Sequence, residues 1–176
     1  TPKPLGTRPY IYETSFEYLK SIDSLSKIIS DMSNVELIIR FRSAAEFKQD
    51  SVEALLPKYK NVILKYGGNF YEDLNKADML ISFASTTIEE SLYSCKPVGL
   101  FGAESRFYHL DGSKKPPTYK KRNSVYHLSE SNLKTMITLI KKYHLNKPLT
   151  SKELKKYIWD SNVMNFKKFI KLQLLF

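Results

Sequence analysis

Residues 77–102 read ADMLISFASTTIEESLYSCKPVGLFG, and the reading of this stretch decides the fold. Met79 to Phe83 is a short apolar run, the pattern of a buried strand. Small and hydroxyl-bearing residues follow, Ala84-Ser85-Thr86-Thr87. Ile88 to Ser94 reads as a helix with Ile88 and Leu92 on one face. Lys96-Pro97 ends it, and Val98 to Phe101 is a second apolar strand closed by Gly102. Strand, tight loop, helix and strand in this order form a right-handed crossover of a parallel sheet. In such sheets ligands sit off the carboxyl ends of the strands, at helix N-termini. Ser85-Thr86-Thr87 occupies that place.

The residue types there suit an anion that also carries hydroxyls. The first N–H groups of a helix lack internal partners and carry the positive end of its dipole. With the hydroxyls of Ser85, Thr86 and Thr87 they are expected to hold a phosphate. Glu89 and Glu90 fall in the first turn, where a carboxylate accepts hydrogen bonds from adjacent ribose or sugar hydroxyls. The same residues also read as a helix cap, with Ser85 or Thr86 at the N-cap and Glu89 or Glu90 completing a capping box. The two readings are compatible, because a ligand can share or displace a cap.

Working outward towards the N-terminus, Gly67-Gly68-Asn69 is a flexible turn whose backbone can approach a ligand closely. Val62-Ile63-Leu64 before it is a short strand, and Phe70 to Lys76 after it is one or two helical turns. Val35 to Phe41 is a strand with a buried centre. Arg40 and Arg42 lie at its carboxyl end on one face, placed for phosphate contacts or simply as paired surface arginines. Ala44 to Lys58 is partly helical and ends near Pro57. Ser15 to Met32 is an amphipathic helix with Phe16, Leu19, Ile22, Leu25, Ile29 and Met32 on its apolar face. Tyr10-Ile11-Tyr12 is a candidate first strand. Residues 1–9, with three prolines and a glycine, form a linker.

Towards the C-terminus, Ala103 to Asn123 is irregular and carries Lys114, Lys115, Lys120, Lys121 and Arg122. Ser124 to Leu128 reads as the last strand. Ser129 is the expected cap of a helix that runs to about Tyr143. Thr150 and Glu153 form a capping box for another helix, through about Trp159. Val163 to Phe176 reads as a basic amphipathic helix, suited to an anionic bilayer or to docking on protein. The expected division is a linker (1–9), a Rossmann-like domain (10–145) and a helical extension (146–176).

Charge separates the two parts of the chain. Residues 1–111 hold 13 Lys+Arg against 15 Asp+Glu, whereas residues 112–176 hold 15 against 3. The surplus of +10 therefore belongs to the last third, either as an anion-binding surface or as a solvated lysine-rich face. Cys95 is the single cysteine, which excludes an internal disulfide and a cysteine-based zinc site and fits a reducing compartment. His109, His127 and His144 are isolated and give no metal spacing. No apolar run approaches about 18 residues, the length of a membrane span. The chain begins at Thr1, so a fragment or processed chain is expected.

The order of elements and the central stretch resemble the C-terminal, donor-binding half of GT-B-fold glycosyltransferases. The likeness is to bacterial surface-polysaccharide enzymes of capsule and lipopolysaccharide type and to the glycerophosphate polymerases of teichoic acid synthesis. Its marks are Ala77-Asp78, Ser85-Thr86-Thr87, Glu89-Glu90-Ser91-Leu92 and Lys96-Pro97-Val98, with ELIIRFRS at 36–43 as the earlier strand. It runs from about residue 10 to 128. Where that strand often ends Lys-x-His-Pro, this chain has Arg42-Ser43, so no histidine role carries over.

The resemblance implies an α/β, Rossmann-like parallel sheet with helices on both faces. It implies donor-phosphate contacts by Ser85, Thr86, Thr87, Arg40 and Arg42, and ribose or sugar contacts by Glu89 or Glu90. Gly67, Gly68 and Asn69 are further candidates. The implied activity is metal-independent transfer from a nucleotide sugar, without cofactor, to a glycan or glycolipid acceptor held by an N-terminal half that this sequence lacks. The catalytic base belongs to that half, so the chain alone is expected to be inactive. A cytoplasmic site follows, with peripheral contact at the inner face of an anionic membrane and no nucleic-acid partner. Non-hydrolysing sugar-nucleotide epimerases share the fold and a similar loop, and a non-catalytic basic docking module built on residues 112–176 is the third reading.

Overall fold

The computed structural model describes residues 15–41, 49–82, 85–102 and 110–158. They form an α/β architecture of short parallel strands in two small sheets. Strand β1 (Leu37–Phe41) pairs with β2 (Val62–Tyr66), from Leu37 against Val62 to Phe41 against Tyr66. Strands β3 (Leu80–Ser82), β4 (Val98–Leu100) and β5 (Val125–His127) form the second sheet in that order. Leu80 stands against Val98 and Val98 against Val125, so the apolar positions line up across the sheet.

The period of two sorts this second sheet into two buried faces. Met79, Ile81, Phe101, Tyr126 and Leu128 lie on one face, against α1 (Ser15–Ser30) and α5 (Leu133–His144). Leu80, Val98, Leu100 and Val125 lie on the other, against α4 (Thr87–Tyr93) and α6 (Ser151–Leu154). Burial on both faces is why these strands read as continuous apolar runs rather than alternating ones. Ile88 and Leu92, four residues apart on α4, are fully buried there. Leu149 and Leu154 are buried in the same layer, beyond the expected boundary at residue 145.

Helix α1 spans both sheets. Leu25 and Ile29 join the core of the second sheet, while Ile22 joins Ile39, Phe41, Val52 and Leu56 around the first. Val52 belongs to α2 (Gln49–Leu55), and α3 (Phe70–Lys76) connects β2 to β3. Asn61 fastens the end of α1 to the start of β1 by donating to the carbonyls of Ile29 (3.0 Å) and Val35 (2.9 Å). Among the described residues no helix is long and apolar enough to cross a membrane.

Several expectations shift. Phe16, expected on the apolar face of α1, is exposed. Ser129 does not cap α5 with its side chain; instead the Asn132 side chain accepts from the Ser129 N–H (2.9 Å), and the helix starts at Leu133. The Thr150–Glu153 capping box is present, but α6 ends at Leu154 because residues 155–157 turn away. Helix α4 ends in a left-handed Cys95 (φ 56°), with the Lys96 N–H bonding Ser91 O and the Cys95 N–H bonding Leu92 O. That is a Schellman stop, set one residue before the Lys-Pro pair that ends the helix in the sequence reading. The candidate strand at Tyr10–Tyr12, the basic helix from Val163 to Phe176, Arg42, and the first part of the irregular stretch (103–109) lie outside the described residues.

Candidate functional site

Parallel pairing puts the carboxyl ends of all strands of a sheet on one edge. At the carboxyl end of β2 the chain turns through Gly67 (φ 73°) and Gly68 (φ 80°). This left-handed region costs other residues about 1–2 kcal/mol each. A Cβ at either position would meet open space, so backbone conformation and not crowding requires the glycines. Asn69 follows as the N-cap of α3, its side-chain oxygen accepting from the Tyr71 N–H at 3.0 Å.

The turn is fastened by Arg40 at the carboxyl end of β1. Its Nη2 donates to Gly67 O (2.7 Å) and Gly68 O (2.8 Å), and its Nη1 donates to Asn69 O (3.4 Å) and to the Asp73 carboxylate. Lys65 Nζ bonds the other oxygen of Asp73 at 2.5 Å. These two cations, Lys65 foremost, hold the Asp73 carboxyl below the usual carboxylate range against the opposing effect of its burial. An open cavity of about 430 Å³ lies beside them, lined in part by Arg40, Lys65, Tyr66, Asn69 and Glu72. Arg40, expected at a phosphate, thus directs both terminal nitrogens at acceptors of its own chain. Its observed work is to shape the glycine turn.

The hydroxyl-rich segment lies beyond β3. Ser85 Oγ accepts from the Thr87 N–H at 3.3 Å. The Ile88 N–H bonds Ser85 O, and the Glu89 and Glu90 N–H groups bond Thr86 O. Thr86 occupies the N-cap position of α4, but its side chain makes no capping bond. The local backbone therefore engages the N–H groups from residue 87 onward. What remains are the Thr86 and Thr87 hydroxyls and the Ser85 and Thr86 N–H groups, which meet no partner among the described residues. Glu90 does not fold back as a capping box. Its carboxylate accepts from the Tyr71 hydroxyl at 3.3 Å. Glu89 is exposed.

That Tyr71–Glu90 bond joins α3, which follows the glycine turn, to α4, which follows Ser85-Thr86. Sequence reasoning selected both segments and missed the link. Tyr71 carries no pattern that marks it, since its partner is 19 residues away. Asp73, which accepts from Arg40 33 residues away, carries no such pattern either.

In the sequence Lys96 reads as part of the helix stop and of the Lys-Pro-Val mark. Its ammonium donates to the carbonyls of Leu74 (2.6 Å), Asn75 (2.7 Å) and Ala77 (2.5 Å), closing the C-terminus of α3. A cation there meets the negative end of the helix dipole. Burial pushes the Lys96 pKa down, and Asp78 opposes the shift. Among the described residues no group of three or more His, Cys, Asp or Glu is placed to hold a metal ion. Comparison with protein-family models, with curated proteins and with solved structures finds no match.

Proposed function

We propose that the chain is the donor-binding half of a metal-independent glycosyltransferase of the GT-B type, which passes a sugar from a nucleotide sugar to a growing cell-surface polysaccharide. One observation carries the reading. The hydroxyls of Thr86 and Thr87 and the N–H groups of Ser85 and Thr86, consecutive in the segment after β3, have no partner among the described residues, and the Tyr71–Glu90 bond links α4 to α3, the helix that follows the glycine turn. Polar groups left without partners suit a polar ligand.

In this reading Ser85, Thr86 and Thr87 hold the donor phosphates, the serine hydroxyl rotating away from the Thr87 N–H to do so. The bond from the anomeric carbon to the phosphate oxygen breaks, and its electron pair goes to the phosphate. The hydroxyls and N–H groups stabilise that charge as it develops, as an oxyanion hole does. The acceptor hydroxyl forms the new bond to the anomeric carbon and loses its proton to a base of the acceptor-binding half. Glu90, with Glu89 beside it, accepts from vicinal hydroxyls of the ribose or sugar. Arg40 acts through Gly67, Gly68 and Asn69, which it holds in place. The acceptor is a glycan or glycolipid, and the reaction belongs on the cytoplasmic side of the membrane.

The test is a thermal-shift panel of UDP, GDP, CMP and CDP and their sugar conjugates. A ligand well above its dissociation constant raises the melting temperature by mass action. A selective rise with one nucleotide, lost in Thr86→Ala and Glu89→Ala, is expected. Each substitution should weaken binding by about 1–3 kcal/mol. Unchanged affinity in both variants would remove the phosphate and hydroxyl roles from this segment. Dependence of turnover on an added glycan separates transfer from epimerisation.

A further inference from the structure

The stretch Ser113-Lys114-Lys115-Pro116-Pro117-Thr118-Tyr119-Lys120-Lys121-Arg122 has no part in that site. Arg122 to Ser124 lead into the amino end of β5, so the base of the stretch sits at the sheet edge opposite Ser85. Its backbone is fixed. The Ser113 N–H bonds Val125 O, and Ser113 O accepts from the His127 N–H, both at 2.9 Å. Ser113 Oγ accepts from the Lys115 N–H at 3.2 Å, and Pro117 is buried. Thr118 and Lys121 exchange backbone bonds of 2.9 and 3.3 Å, which sets Tyr119 and Lys120 at the tip of a tight turn. Tyr119 is 86 % exposed, the most exposed of the large apolar side chains described.

Four exposed lysines, 114, 115, 120 and 121, flank this tyrosine along the chain. Their ammonium groups meet no partner among the described residues. Two described acids near the stretch already have cationic partners. Asp111 pairs with Lys156 (3.1 Å), and Glu153 pairs with Arg122 (2.8 Å). No acidic residue occurs between Gly112 and Ser129. The result is a hydrogen-bonded cationic turn with an aromatic tip, whose four lysines have no acidic partner among the described residues.

We infer that this turn seats the chain on an anionic lipid bilayer, Tyr119 entering the headgroup layer and the four lysines meeting lipid phosphates. Tyrosine favours the membrane–water interface, where its ring is apolar and its hydroxyl is wet. Lysine is a point charge suited to a diffuse anionic surface. It lacks the planar fork that reads base edges, and the one arginine of the stretch is turned inward on Glu153. Each lysine near such a surface adds about fivefold to affinity.

The experiment sediments the chain with vesicles of phosphatidylcholine alone and of phosphatidylcholine mixed with phosphatidylglycerol. Binding to the mixed vesicles only, falling steeply with added salt, is expected. Lys120→Glu with Lys121→Glu should lose at least about 25-fold, from two lysines removed. Lys142→Glu with Lys155→Glu, the same charge change on exposed lysines elsewhere, should lose far less. Tyr119→Ala should weaken binding several-fold and leave the salt dependence unaltered. Unchanged urea midpoints verify that the variants are folded. Equal losses in the two lysine pairs, no loss in either, or tighter binding of single-stranded oligonucleotide than of mixed vesicles with the same dependence on Tyr119 overturns the proposal. None of these readouts involves a nucleotide sugar, so the assignment of Ser85–Glu90 stands or falls separately.

Discussion

At the amino edge of the β3–β4–β5 sheet, Arg122 directs Nε (2.8 Å) and Nη2 (2.9 Å) at the Glu153 carboxylate and Nη1 at the carbonyls of Tyr143 (3.3 Å) and Lys147 (3.0 Å). Glu153 in turn accepts from the N–H and hydroxyl of Thr150, both at 2.7 Å, and its carbonyl accepts from the Ser124 hydroxyl. Beside them the Asn123 N–H donates to Tyr126 Oη (2.8 Å), and Tyr126 lies 2.8 Å from His144 Nε2. Beyond the opposite edge, Thr86 and Thr87 carry hydroxyls with no described partner. Both edges use hydroxyls, an acid and backbone groups. Where the chain satisfies its own polar groups, they set the positions of its elements. Where it leaves them open, they are available to something else.

Removing one member of the closed edge is the hardest way to break this contrast. Glu153→Ala leaves Arg122, which is 17 % exposed, facing carbonyls without its carboxylate, and it also removes the cap of α6. Loss of one partner of a largely buried pair costs about 3–5 kcal/mol. Urea unfolding should show it in the midpoint. A loss below about 1 kcal/mol would mean that the pair behaves as a surface contact and that the closed edge does not organise the fold.

Acid tests the same edge without mutation. Burial, with Arg122 adding to it and Glu153 opposing, pulls the His144 pKa from 6.5 down to about 4. With Asn123 donating to Tyr126 Oη, the phenol proton is directed at His144 Nε2, so the neutral imidazole is the acceptor. Tyr126 is itself pushed up to about 12 by its burial, so it keeps this proton throughout the neutral range. The unfolded chain binds the imidazole proton first as pH falls, so the folded state loses stability between about pH 6.5 and pH 4 and is unaffected by this group above that window. At about 1.4 kcal/mol per pH unit, and allowing for solvent screening, the loss is on the order of 2–3 kcal/mol. Urea midpoints across that range check it, with His144→Leu expected to flatten the slope. A slope that the variant leaves unaltered would assign acid sensitivity to other groups.

The contrast also explains how much of the molecule the sequence carries legibly. The central crossover, the Gly67-Gly68-Asn69 turn and the Thr150–Glu153 box are local. Their signals sit within four residues of one another, and hydrophobic period or backbone conformation writes them directly into the chain. The resemblance drawn from Ala77 to Gly102 anticipated helices on both faces of a parallel sheet, and the β3–β4–β5 sheet has that arrangement. The partners of Arg40, Lys96, Arg122 and Tyr71 lie 19 to 33 residues away. No spacing rule reaches that far. An arginine at a strand's carboxyl end reads the same whether it faces a phosphate or an aspartate, and the bonds of Arg40 to Gly67, Gly68, Asn69 and Asp73 are not written in its local sequence. The start of α5 differs for a related reason, since a serine and an asparagine three apart can bond in either direction, and here Asn132 accepts from the Ser129 N–H.

Lys96 gives an intermediate effect. It lies just before β4, at the closed edge, and its three bonds to carbonyls of the α3 terminus are charge-assisted. Lys96→Met keeps most of the aliphatic stem and removes the ammonium. The expected loss is about 2 kcal/mol, from helix-end carbonyls left without a cation. The same variant sharpens the comparison if nucleotide binding at Ser85–Thr87 is kept in the folded protein, because Lys96 acts at the opposite edge.

Thr86→Ala sits at the other end of the scale, and its smallness is informative. Thr86 is exposed and makes no side-chain capping bond, so removal of its hydroxyl should change the urea midpoint by less than about 0.5 kcal/mol. An N-cap threonine that worked as a cap would cost about 1 kcal/mol or more. A small stability change together with weakened nucleotide binding marks the hydroxyl as serving a ligand. A loss of 1 kcal/mol or more with binding unaltered would mark it as a cap in solution, and the open edge would then be as self-sufficient as the closed one.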